Sequence, residues 1–132
     1  MGTALQTGMF GGYCYGPADV IRLRKGDSTM WVLLRDSAGK AAEAVYSGCV
    51  YWRLERGQTG IHISLVEKLT ADQLLQRKYS VTLRALQKNT GDVEKLIREW
   101  EAAGLSFYLH IGRKATEEYL VVAENLQYRE KS

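Results

Sequence analysis

The chain has 132 residues, enough for one domain and too few for two with adequate cores. Apolar residues make up 45% and charged residues 25%, a balance that excludes bulk disorder and suits a folded, water-facing domain. The formal charge of +3 is small. The basic clusters Arg22–Arg24–Lys25, Arg77–Lys78 and Arg113–Lys114 are separated by acids, so charge alone singles out no polyanion partner.

Met1–Phe10 has no basic start leading into an apolar stretch and does not read as a signal peptide. No run approaches the ~18–20 apolar residues of a membrane helix. Cys14 and Cys49 form no CxxC pair and lie in apolar, aromatic surroundings, which reads as two buried thiols in a reducing cytoplasm. A disulfide between them would need Cα atoms within about 7 Å.

Residues 1–9 read as a loosely held start. Phe10–Tyr15 reads as a short strand or arm, with Gly16-Pro17 turning the chain. In Val20–Arg24, Ile21 and Leu23 alternate with Val20, Arg22 and Arg24, a half-buried strand, and Lys25-Gly-Asp-Ser follows as a tight turn. The more continuously apolar Met30–Arg35 belongs near the centre of a sheet, and Asp36-Ser-Ala-Gly turns again. Ala42–Leu54 is a long strand with a bend at Gly48, after which Cys49, Tyr51 and Arg53 share one side and Val50, Trp52 and Leu54 the other. Arg56-Gly-Gln-Thr-Gly closes a hairpin into Ile61–Val66, in which Ile61, Ile63 and Leu65 face away from His62 and Ser64.

After Leu69 the period changes. Thr70 caps a helix, and Leu75, Tyr79, Leu83 and Leu86 predict one amphipathic helix from Ala71 to Lys88. A competing reading stops it at Lys78 and makes Ser80–Leu86 a strand, since β-branched Val81 and Thr82 lower helical propensity. A second helix starts at Thr90 or Asp92, buries Val93, Leu96, Ile97, Trp100 and Ala103, and ends at Gly104. Leu105, Phe107, Leu109 and Ile111 then alternate with Ser106, Tyr108 and His110, placing the latter three on a polar strand face. A last strand covers Glu118–Glu124, Leu126 and Tyr128 can pack, and Arg129–Ser132 reads as a frayed tail.

No compact reaction centre emerges. Two scattered histidines and two scattered cysteines have no metal-ligand spacing, and no phosphate-loop or dinucleotide glycine pattern is present, so neither a metal nor a cofactor is expected. An acid–base enzyme would draw on His62 or His110, with Glu117 or Glu118 meeting His110 across the hairpin and Arg113 holding an anion. The stronger ligand reading rests on rings and guanidinium groups on successive strands: Tyr13, Tyr15, Tyr51 and Arg53 with Arg22 and Arg24, beside Tyr46 and Trp52.

The chain is therefore read as a single α+β domain. It comprises a mainly antiparallel sheet of about five to seven strands with two helices from the C-terminal half packed on one face. The expected role is non-catalytic binding through an aromatic- and arginine-lined sheet surface or through self-association as a homodimer. A protein partner is favoured, a small molecule is admitted, and no membrane partner is expected. A metal-independent histidine–carboxylate enzyme is the first alternative, and single-stranded nucleic-acid binding ranks below it because the net charge is modest.

Overall fold

A computed structural model of the chain describes residues 13–15, 17–36, 38–52, 61–77, 81–88, 91–113 and 117–130. The polypeptide forms β1 (Tyr13–Tyr15), β2 (Ala18–Lys25), β3 (Thr29–Asp36), β4 (Ala41–Ser47), β5 (Tyr51–Trp52), β6 (His62–Ile63) and β7 (Leu65–Leu69). It continues through α1 (Ala71–Leu75), α2 (Val81–Gln87), α3 (Val93–Ala102), β8 (Ser106–Ile111), β9 (Glu118–Ala123) and β10 (Asn125–Glu130). The fold is α+β with antiparallel pairing throughout the described strands, and its helices lie in the C-terminal half.

The strands divide into two five-stranded sheets, β1-β7-β8-β9-β5 and β10-β4-β3-β2-β6, where a single sheet was expected. Two corners explain the division. At Gly48 the backbone takes φ +63, and the carbonyl of Ser28 accepts from the Cys49 amide while that of Val122 accepts from the Val50 amide. The predicted strand Ala42–Leu54 thus leaves one sheet as β4 and enters the other as β5. At Ser64 the amide donates to Ile111, and the predicted strand Ile61–Val66 splits between β6 and β7. Followed through these corners, pairing runs β8–β9–β5, then β4–β3–β2–β6, then β7 and back to β8. It is a closed circuit.

The space between the sheets is packed with Val20, Leu23, Met30, Val32, Leu34, Tyr46, Ile63, Val66, Tyr108 and Val121. The other face of the β8 sheet carries Leu69, Phe107, Leu109, Leu120 and Val122, and the helices cover it with Leu74, Leu83, Leu86, Val93 and Ile97. The stripe on α3 is buried as predicted at Val93 and Ile97, and Trp100 packs beside Tyr51 and Phe107, whereas Ala103 is exposed. Both faces of β8 and β9 are consequently apolar, which overturns the reading of Tyr108 and His110 as residues of a polar face.

Local chemistry accounts for the element ends. Thr70 accepts from the Gln73 amide while the Gln73 side chain accepts from the Thr70 amide, a reciprocal cap on α1. The Asp92 carboxylate accepts from Lys95 to start α3, and Gly104 ends it at φ +86. Asp36 turns the β3–β4 hairpin by accepting from the amides of Ala38 and Lys40, both at 2.9 Å.

The single helix predicted for Ala71–Lys88 is broken. Gln76 caps α1, and α2 resumes at Val81 because the Glu118 carboxylate accepts from the Thr82 amide at 3.4 Å and the Thr82 hydroxyl at 3.1 Å. Residues 81–87 are helical, so the competing strand does not form. At the other end, Arg129 and Glu130 continue the ladder of β10 opposite Glu43 and Ala42, where a frayed tail was expected. The Arg56–Gly60 hairpin and the start of the chain lie outside the described residues.

Candidate ligand-binding face

Alternation on β2 would place Val20 with Arg22 and Arg24. A β-bulge at Ile21 corrects this: register shifts between Val20 and Arg22, so Val20 and Leu23 both point into the core while Arg22 and Arg24 are exposed. On β3, Met30, Val32 and Leu34 are buried inward, leaving Trp31, Leu33 and Arg35 on the outer side.

Register across β2, β3, β4 and β10 sets three outer rows. Arg24, Trp31, Val45 and Gln127 form the first, and Arg22, Leu33, Glu43 and Arg129 the second. His62, Asp19, Arg35 and Ala41 form the third.

Arg22, Arg24, Trp31, Leu33 and Glu43 line a shallow groove of about 230 Å³. The Arg24 guanidinium stands 4.7 Å from the Trp31 ring centroid, within cation–π range. Its other side faces Glu43, with an N···O separation of 3.9 Å that gives attraction without a hydrogen bond. Arg24 retains 59% side-chain exposure against 11% for Glu43, so the cation is presented to solvent above a nearly covered carboxylate. Gly26 underlies the indole: a Cβ there would meet Trp31 carbons at 3.2 and 3.3 Å. Arg22 has no ion pair among the described residues.

Arg22 and Arg24 are thus brought together, with Trp31, Leu33 and Glu43 as partners that sequence reasoning missed. Tyr51 is elsewhere, on the helix side with its ring centroid 5.6 Å from that of Trp100. Cys49, expected on Tyr51's side, is buried between the sheets because the strand changes sheet there; it is a free thiol whose pKa burial pushes up, opposed by Lys25 and by the Tyr51 backbone. Tyr13 and Tyr15 form β1 beside β7, but their side chains, like all of Arg53, lie outside what is described.

The two histidines are not brought together. His110 is fully buried between the sheets. Its Nδ1 faces the carbonyls of Tyr119 at 2.8 Å and Tyr108 at 3.1 Å, so Nδ1 carries the proton and donates. In the neutral ring Nε2 accepts, and the Tyr46 hydroxyl donates to it at 2.5 Å. Burial drives the His110 pKa down to about 4, with the two carbonyls opposing that shift. Glu118 lies on the opposite face of the β8 sheet, engaged by Thr82 and by Arg77 at 3.5 Å, so the expected His110–Glu118 pair does not form. The Oε1 atom of Glu117 accepts from the Arg113 amide at 2.9 Å, closing the β8–β9 turn.

His62 does meet a carboxylate: its Nδ1 donates to Asp19 Oδ1 at 2.9 Å on the rim of the outer face. No group of His, Cys, Asp and Glu side chains among the described residues has metal-site geometry, and no described helix is long and apolar enough to cross a membrane. Compared with known proteins, the chain matches no protein-family model, no curated protein and no solved structure.

Proposed function

We propose that this chain is a non-catalytic, cytoplasmic binding protein that receives a protein partner on the outer face formed by β2, β3 and β4. The observation that carries this reading is the groove in which the Arg24–Trp31 stack and Arg22 stand beside Leu33. Guanidinium groups held on a rigid sheet offer directed hydrogen bonds, and the indole with Leu33 offers apolar contact. The backbone of a paired strand is already ordered, so binding has only side chains to fix.

The test is amide chemical-shift mapping with a panel of small planar and anionic compounds. Perturbations centred on Arg22, Arg24, Trp31, Leu33 and Glu43, lost in Arg22→Glu, are expected. Shifts confined to the helix layer would refute the assignment, and light scattering at the same concentrations identifies a second copy as occupant.

A second reading is favoured by the His62–Asp19 pair, whose carboxylate orients the imidazole as an acid–base catalyst requires. It predicts turnover within a metabolite or phosphoester panel that His62→Ala removes without altering the fold. His110 has no part in this reading because it is sealed from substrate.

A further inference from the structure

We infer that the occupant of the outer face is an acidic, partly apolar segment of a partner protein, seating carboxylates on Arg22 and its neighbouring arginines while an aliphatic side chain rests against Trp31 and Leu33. This rests on the binding role proposed above and names the chemistry of the partner.

Charge complementarity comes first. The three outer rows carry Arg22, Arg24, Arg35 and Arg129 against Asp19 and Glu43 only. Asp19 is engaged by His62 and Glu43 faces Arg24, so the face presents an excess of positive charge. Every cation named is an arginine, whose planar fork matches a carboxylate in two parallel hydrogen bonds. Arg22 and Arg35 have no ion pair among the described residues and are exposed.

Position narrows the partner further. Leu33 sits between Arg22 and Glu43 in its row, and Trp31 between Arg24 and Val45. A column of cations on β2, Arg22 and Arg24, therefore stands beside a column of apolar side chains on β3, Leu33 and Trp31, at the spacing of neighbouring strands, about 4.8 Å. A peptide that carries acidic and aliphatic side chains within a few residues of each other reaches both columns. A single-stranded nucleic acid fits less well. It needs a continuous cationic track with free rings for successive bases. Here Asp19 and Glu43 interrupt the track, and Arg24 covers a face of the single indole in the groove.

The experiment measures fluorescence anisotropy of labelled synthetic peptides with the full chain at low salt. A Glu-Leu-Glu-Gly repeat is the probe; Glu-Gly and Lys-Leu-Lys-Gly repeats and oligothymidylate are comparators. Expected are preferential binding of the Glu-Leu-Glu-Gly repeat, a loss on the order of tenfold in Arg22→Glu or Arg35→Glu, and little change in Arg84→Glu, which lies exposed on α2 in the helix layer. Equal binding of the Glu-Gly repeat would overturn the apolar half of the proposal, and equal loss in Arg84→Glu would overturn the site. Tighter binding of oligothymidylate with the same sensitivity to Arg22→Glu would overturn the peptide while leaving the face as a binding surface. If no probe binds, the peptide proposal falls. If, in addition, the small-compound panel leaves the groove amides unmoved, the binding role falls with it.

Discussion

The Tyr46 hydroxyl donates to Nε2 of His110 at 2.5 Å, tying β4 of one sheet to β8 of the other through the middle of the core. With Nδ1 shared between the carbonyls of Tyr108 and Tyr119, both ring nitrogens are satisfied only while the imidazole is neutral. An unfolded imidazole takes up its proton near 6.5 and the buried ring resists it down to about 4. In that interval the unfolded chain binds more protons, so stability falls as pH drops from 6.5 towards 4 and levels off below it. The full loss is on the order of 3 kcal/mol. Urea unfolding across this range checks it: His110→Gln is expected to lose most of that slope. Tyr46→Phe is expected to cost about 1–3 kcal/mol at neutral pH by leaving Nε2 without its donor.

Gly48 is expected to tolerate no side chain. Its φ of +63 is strained for other residues, and a Cβ would run into the Glu124 side chain. Gly48→Ala is predicted to destabilise by about 1–3 kcal/mol. Adding Glu124→Ala should recover the steric part only, because the backbone penalty remains. Denaturation midpoints of the single and double variants separate the two.

Arg77 bridges Glu67 at 3.2 Å and Glu118 at 3.5 Å, and Glu118 in turn holds the first turn of α2. Removing the cation leaves two largely covered carboxylates without their shared partner. Arg77→Ala is predicted to cost on the order of 2 kcal/mol. Hydrogen exchange is expected to rise first in residues 81–87.

The Arg24–Trp31 contact is predicted to contribute about 0.5–1 kcal/mol, measured as the coupling in a double-mutant cycle of Arg24→Ala and Trp31→Ala. A coupling indistinguishable from zero would mean that solvent screens the exposed guanidinium.

Much of the fold was legible because local chemistry and global packing agree. The caps at Thr70 and Asp92, the turns at Gly26 and Gly39 and the α3 stripe are all written in short spans of sequence. What stayed hidden depends on distant partners. Nothing near Ser64 states that a strand will change sheets there, and the bend read at Gly48 does not say that it is a change of sheet. A strand buried on both faces has no polar face to read, so His110 looked like surface when its partners were Tyr46 and carbonyls on two strands. The groove was half legible. Arg22 and Arg24 stand out as charges, whereas Trp31 and Leu33 vanish into an apolar run whose outward side only the sheet defines. The bulge at Ile21 also defeated simple alternation.

The closed circuit of pairing imposes an order on biosynthesis. The β2–β3–β4 meander leaves the ribosome early, yet the residues that cover its inner side, Tyr108, Val121 and Ala123, are translated late, and β10 joins β4 last. Until then Met30, Val32 and Leu34 lack most of the layer that covers them. A chain truncated before Ser106 is therefore expected to leave this inner side open to water and to aggregate.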